Sequence, residues 1–433
     1  MKIRFAILFL LLFRFVCSHA QTWHLLSSAP QASWRHDDIY FTDADHGWLV
    51  NVDGNIYRTT DGGTSWATLL QQPATSFRCV GFADTLRGWV GNLGLGSWSP
   101  TTDTIPLYGT TDGGLTWTPA TIIGPTPAGI CGINVVTDSV AYAVGRVGGP
   151  GHILKTTNAG QTWISTPAPS PMFYLIDVKF FSPDTGFVSG TTGALNSERP
   201  AIFRTVDGGQ NWQQVAGLPN FQGICWKMTF PSRQVGYSSV EAWQGQDSIP
   251  VMKTTDGGLS WTPKLQSVPY FWDQGIGFID EQLGYCGSTT NKRTTDGGDT
   301  WTNWALFPHN FNRFRRINDS IAYACGNRVY KYSVVPVAVD EPVVEASKLQ
   351  FEAPALNPFR ERTKISYVLP VDGEIDLRVY DWTGRPVKVL AQGWQRAGKH
   401  HVVLELDYHG NARFYLSLRQ GEDMATQSVL MVR

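Results

Sequence analysis

The sequence predicts an all-β protein, a seven-bladed β-propeller followed by a small Ig-like β-sandwich. Three observations point there. A turn phrase ending in tryptophan recurs six times, apolar and polar residues alternate over short spans, and the composition suits strands and tight turns. Of 433 residues, 42% are hydrophobic and only 16% charged, with 44 glycines and 17 tryptophans. Ordinary soluble domains carry about a quarter charged residues, so many short strands joined by turns are expected. The formal net charge of -1 gives no global field to steer nucleic acid or an anionic membrane to the chain.

The first twenty residues place Lys2 and Arg4 before the apolar run Phe5 to Phe13 and end on Ser18-His19-Ala20, the pattern of a cleaved export signal. The run is too short to span a bilayer and Arg14 interrupts it. A mature chain starting near Gln21 retains Cys79, Cys131, Cys225, Cys286 and Cys325. Their spacing fits no metal site, and buried small hydrophobes are expected rather than disulfide partners. No later stretch is long and apolar enough to cross a membrane.

The repeated phrase is TTDGGTSW ending at Trp66, with variants ending at Trp117, Trp163, Trp212, Trp261 and Trp301, spaced 40 to 51 residues apart. Four short strands need about that much chain. Within each unit a strand such as "RCVGFAD" and a second such as "RGWVG" precede a third that runs into the phrase. The glycines supply the positive φ of a tight hairpin. Asp61, Asp112, Asp207, Asp256 and Asp296, with Asn158 in the third copy, accept bonds from their own turn. Each Trp then opens a fourth strand as an anchor between units. A basic residue three positions before the box Asp or Asn158 in five of the six copies, Arg58, Lys155, Arg204, Lys253 or Arg293, is expected across from that Trp as a cation over its indole. The two variant turns, at Asn158-Ala159 and at Asn211, are expected to be looser.

This phrase resembles the Asp-box (BNR-type repeat) of sialidases, sortilin-type receptors, some glucanases and photosystem II assembly-factor propellers, the last most closely. The resemblance covers about residues 22 to 333 and implies boxes on the rim, away from the ligand face. After Trp301 the chain supplies one more three-strand set, 314 to 333, without a box. Thr22-Trp23 resembles a box tail, so a seventh blade closed by the N-terminal strand is expected over 21–333.

Function is then expected where the loops between fourth and first strands, and between second and third, meet the central channel. Trp34, Arg35, Phe77, Arg78, Tyr174, Tyr270, Trp272, Arg313 and Arg315 gather there in sequence terms, and would suit a glycan or an acidic peptide through stacking and guanidinium forks. The competing reading has these rings plug the channel as core. Catalysis is the alternative class. Asp37 and Asp38 lie beside Trp34, yet no partner carboxylate is identifiable. The string nearest to the sialidase Arg-Ile-Pro element, Arg316-Ile317-Asn318, sits at the wrong end of the chain. No phosphate loop, metal-ligand spacing or nucleophile elbow is present, so no cofactor and no metal are expected.

Residues 334–349 read as an extended linker. Beyond it, 350–433 alternates apolar with polar residues as a sandwich does. Asn357-Pro358-Phe359, Val379-Tyr380-Asp381 with Gly384-Arg385-Pro386, Ala397-Gly398-Lys399-His400 and Phe414-Tyr415 resemble the type A C-terminal sorting domain of the Bacteroidetes type IX secretion system. The resemblance implies passage through the periplasm to that machinery, and an end point secreted or on the outer-membrane cell surface. The expected function is a non-catalytic propeller that binds an extracellular glycan or protein, with a secreted glycoside hydrolase as the alternative.

Overall fold

The computed structural model describes residues 22–96, 101–146, 148–193, 197–242, 249–267, 274–287, 291–304, 311–333, 349–352, 357–360, 362–381, 383–406, 408, 410–421 and 423–432. The export-signal residues 1–20, Tyr270, Trp272 and linker residues 334–348 lie outside them. All regular elements among the described residues are strands. None of these residues belongs to a helix long and apolar enough to cross a membrane. The chain divides into two compact units, Met1–Val337 and Ala338–Arg433.

The first unit opens with β1 (Thr22–Leu25) and continues as consecutive four-stranded meanders. Blade 1 is β2 (His36–Phe41), β3 (Gly47–Asn51), β4 (Asn55–Thr59) and β5 (Ala67–Gln71). Blade 2 is β6 (Phe77–Phe82), β7 (Gly88–Asn92), β8 (Leu107–Thr110) and β9 (Thr118–Pro119). In blade 3 the short β10 (Ile122–Ile123) lies parallel to the outermost of β11 (Gly132–Val135), β12 (Ala141–Gly145), β13 (His152–Thr156) and β14 (Trp163–Pro167). Blade 4 is β15 (Met172–Phe180), β16 (Gly186–Thr192), β17 (Arg199–Thr205) and β18 (Gln213–Gly217). Blade 5 is β19 (Gly223–Thr229), β20 (Gly236–Ala242), β21 (Ile249–Thr254) and β22 (Thr262–Ser267). Blade 6 is β23 (Gly275–Phe278), β24 (Gly284–Gly287), β25 (Lys292–Thr294) and β26 (Thr302–Asn303). Blade 7 joins β27 (Arg313–Asn318), β28 (Ile321–Cys325) and β29 (Val329–Ser333) to β1, with Trp23 opposite Tyr332. The inner strands touch in order and β27 meets β2, so the sheets form a closed seven-bladed propeller.

Aromatic residues from adjacent blades fill the space between sheets. Phe82, at the end of an inner strand, stacks on Trp48 of the blade before it at 3.6 Å and meets the edge of its own box tryptophan, Trp117, at 6.1 Å. Phe180 does the same with Tyr142 and Trp212, and Phe278 with Tyr237 and Trp301. A Cβ at Gly88, Gly186 or Gly284 would strike these phenylalanine rings at 2.3 to 2.5 Å, which is why a glycine starts the second strand. Each box closes on itself. Thr59 Oγ1 donates to Asp61 Oδ1 at 2.8 Å, while Asp61 accepts from the Ser65 N–H at 2.9 Å and from its hydroxyl at 2.6 Å.

Two expectations are corrected here. The basic residues do not cover their own box tryptophan, because the third strand pairs Arg58 with Ala67 and Lys253 with Thr262, one residue beyond it. They stand instead opposite the second-strand aromatic, as Lys253 does with Tyr237. Lys253 Nζ and Tyr237 Oη both donate to the Gly297 carbonyl in the next blade's box, at 2.7 and 2.9 Å. Lys155 with Tyr142 grips Gly208, and Lys331 with Tyr323 grips Gly62. The variant turns also keep their rings. Asn158 accepts from Thr156 and the Thr162 N–H, and its amide donates to Thr162 Oγ1. Asn211 donates to Asp207 at 2.8 Å. What changes is local, since Ala159 carries a φ of 58° where the other copies have glycine.

The second unit has two antiparallel sheets. β30 (Gln350–Phe351), β31 (Arg362–Leu369) and β34 (Gly398–Glu405) form one. β33 (Pro386–Gln395), β32 (Gly373–Tyr380), β35 (Ala412–Gln420) and β36 (Asp423–Met431) form the other. Ile365 and Leu404 from the first sheet share a buried cluster with Val379, Leu416 and Val429 from the second. All five described cysteines are buried and unbridged.

Candidate functional site

Each inner strand turns one edge toward the axle, where no neighbouring strand completes its ladder and a buried N–H needs another acceptor. Side chains of the preceding blade supply it. Asp38 accepts from the Val80 N–H at 3.0 Å, Asn134 from Phe180 at 2.6 Å and Asp177 from Met228 at 2.9 Å. The inner strands also carry bulges between His36 and Asp38, Phe77 and Cys79, Leu175 and Asp177, and Cys225 and Met228. A bulge adds a residue and re-aims its side chain. Asp37, Arg78 and Lys227 lie in these bulges, and all three are buried.

Arg313 ties the axle together. Its Nε donates to Asp38 at 2.7 Å and an Nη donates to Asp177 at 3.2 Å, joining blade 7 to blades 1 and 4. Burial works against its charge, but Asp177 and Asp38 outweigh that and raise its pKa. Asp177 in turn is held below the usual carboxylate range, with burial opposing and Arg313 and Lys227 prevailing.

Arg313 separates two charged clusters. Toward the loops that lead into the inner strands, Arg35 and Arg78 both hold Asp37. Arg35 also donates to Gln274 at 2.8 Å, and Gln274 donates to Glu241 at 2.9 Å. Burial pushes Glu241 up to about 7 although Gln274 and Arg35 pull it down. Trp34 is 46% exposed at this end, with the Arg35 guanidinium 4.5 Å over its ring.

Toward the boxed turns the axle opens into a cavity of about 260 Å³ among Asn134, Lys179, Thr229, Arg313, Arg315 and Arg316. The box amides bond to the first-to-second strand turns, as Gly208 does to Asp184, which places both turn sets at this end. Arg315 lies 4.4 Å over Tyr40 and donates to the Ile39 carbonyl at 3.3 Å. Burial, with repulsion from Arg315, lowers Lys179 to about 8, and burial with repulsion from Arg313 does the same at Lys227.

The expected site residues therefore fall into separate groups. Trp34 presents an open ring. Arg35, Arg78 and Arg313 converge on the axle but are buried in ion pairs. Phe77 and Tyr174 do not line an open mouth. Phe77 packs with Trp48 and Val80 between blades, and Tyr174 with Ile176 and Trp226. Arg315 belongs to the opposite, boxed end. Asp177, Lys179, Lys227, Glu241 and Gln274 were missed by the sequence reading. For Asp177, Lys179 and Lys227 the signal is a charged residue inside an otherwise apolar inner strand, as in "DVKF" from 177 and "CWKMTF" from 225, whereas Glu241 on β20 and Gln274 just before β23 carry no such signal.

The family model described as photosynthesis system II assembly factor YCF48 matches residues 17–165. The photosystem II assembly lipoprotein Ycf48 of Synechococcus sp. (strain CC9902) is 24% identical over 319 residues, covering 67% of this chain and 82% of its own. The solved structure of YCF48 bound to D1 peptide is similar with a TM-score of 0.54 and 17% identity, over 72% of this chain and 94% of that one. A GH74 enzyme from Niastella koreensis is similar with a TM-score of 0.53 and 13% identity, over 95% of this chain and 75% of that one. These structural likenesses establish the propeller fold.

Proposed function

We propose that the protein is an exported, non-catalytic propeller that binds an extracellular ligand at the Trp34 end of its axle. One observation carries the non-catalytic part. Among the described residues the carboxyls around that end are already engaged, Asp37 by Arg35 and Arg78, Asp38 by Arg313 and the Val80 N–H, Glu241 by Gln274, and Asp53 by Ser33. A glycosidase needs a carboxyl pair free to face a scissile bond. Of the two ligand classes, a polypeptide is favoured over a glycan, because a related propeller was solved with a peptide bound. The reading takes peptide recognition from that relative and not its photosystem partner. The second unit resembles an Ig-like sorting domain of type IX secretion, and in this reading it delivers the propeller to the secretion machinery and the outer cell surface.

The mature full chain tested on a peptide and glycan array, beside Trp34→Ala and a panel of chromogenic glycosides, tests the assignment. Peptide binding weakened by Trp34→Ala, without glycoside release, is the expected result. Release of product would establish the hydrolase instead. Deleting 350–433 in the native host should retain the propeller inside the cell.

A further inference from the structure

The boxed end of the axle holds a feature that the reading at Trp34 does not use. Lys179, Lys227, Arg313 and Arg315 stand around two carboxylates, Asp38 and Asp177, which are already engaged by Arg313 and by backbone N–H groups. Lys227 is 1% exposed, and its Nζ has no hydrogen-bond partner among the described residues. A buried ammonium without a hydrogen bond is unfavourable even with Asp177 and Asp38 near it, and an anion brought close relieves that cost. Lys227 lies in the bulge between Cys225 and Met228, and the charges that act on it are the axle's Arg313, Asp177, Arg78 and Asp38. The cavity of about 260 Å³ begins at its strand neighbours Met228 and Thr229. At roughly 30 Å³ per water, that space takes a phosphate or carboxylate together with several waters.

We propose that this cavity is an oxyanion site, in which Lys179, Arg313 and Arg315 hold a carboxylate or phosphate group that enters from the face of the boxed turns, with Lys227 behind the wall. Arg313 supplies the wall fixed by its two carboxylates, Lys179 and Arg315 the rim, and Lys227, one residue behind the lining Met228, adds its charge from outside the cavity wall. The site lies at the other end of the axle from Trp34, so it stands whether or not a peptide binds there.

The test is calorimetric titration of the mature full chain with inorganic phosphate, with succinate, and with an acidic peptide bearing either a free or an amidated C-terminus. Binding of phosphate or succinate identifies a free small anion. Binding of the free-acid peptide alone identifies a carboxylate carried on a chain end. In either case Lys179→Met should weaken binding roughly tenfold or more, as loss of a charge-assisted contact requires, and Lys227→Met should weaken it less, through the lost charge alone. Lys227→Met should also raise the melting temperature in anion-free buffer, which marks a retained fold. Arg315→Gln, on a partly exposed side chain, provides a second variant should Lys227→Met fail to fold. No binding by any probe, or unchanged affinity in the folded variants, overturns the proposal.

Discussion

Replacing Arg313 with Met would leave Asp38 and Asp177 buried without the guanidinium that neutralises both, while the new side chain fills most of the same space. Breaking a buried ion pair from one side is destabilising by about 3–5 kcal/mol, and that loss is expected for Arg313→Met in urea unfolding. Lys227 behaves in the opposite sense. Its ammonium is lowered from 10.5 to about 8 by burial first and Arg313 second. Between those values the unfolded chain holds a proton that the folded chain has released, so this group's contribution to stability rises with pH. Lys227→Met should therefore be more stable than the wild type near neutral pH, and the gap should narrow as pH rises through that window. A constant gap in denaturant titrations would contradict the assigned environment. The arginines of the axle were legible in the sequence because they stand at the starts of inner strands beside aromatics. Lys227 and Asp177 were not, because a bulge decides which side chain reaches the axle and no residue type announces a bulge in these strands.

The recurrent element is the boxed hairpin together with the aromatic and basic pair that grips it from the blade before. In blade 5, Asp256 accepts from Thr254, from the Ser260 N–H at 3.0 Å and from the Ser260 hydroxyl at 2.6 Å. The Ser260 bonds, hydroxyl first, lower its carboxyl to about 2. Removing bonds to a charged acceptor weakens a protein by about 1–3 kcal/mol, so Asp256→Ala should lower the unfolding free energy in urea by that order. Asp256→Asn should lose far less, because Asn158 forms the same ring in blade 3. The depressed carboxyl also fixes a sign. Its contribution is present above the unfolded value near 3.8 and is lost as pH falls through about 2, so Asp256→Asn should blunt acid unfolding in that window. The box was readable as a turn because Asp-Gly-Gly has a specific backbone use. Its grip on the neighbouring blade was not, because the strand register sets which residue the cation faces, and a one-residue shift redirects it from the indole to a carbonyl across the blade gap.

At the scale of the whole ring, seven like sheets have no intrinsic reason to stop or to close, and closure rests on β1. Thr22 to Leu25 pair with Ser333 to Tyr330, so the last blade takes its outer strand from the other end of the unit. Trp23 extends that join beyond its own sheet. It meets Tyr332 at 5.4 Å in blade 7 and Tyr285 at 5.6 Å in blade 6, and only 4% of it is exposed. Truncating a buried tryptophan to alanine weakens a protein by about 3–5 kcal/mol, and Trp23→Ala is expected in that range by urea unfolding of the full chain. Removing residues 21–25 should do more than add up such losses. It would leave β29 as a bare edge with Tyr330 and Tyr332 uncovered, an arrangement that invites pairing between molecules. The truncated chain should therefore melt at lower temperature and enter oligomers on size-exclusion chromatography, whereas Leu259→Ala, at an exposed position of a boxed turn, should alter neither. A truncated chain that stays monomeric with an unchanged melting temperature would mean that the inner-strand contacts alone hold the ring, and that β1 decorates a wheel already closed.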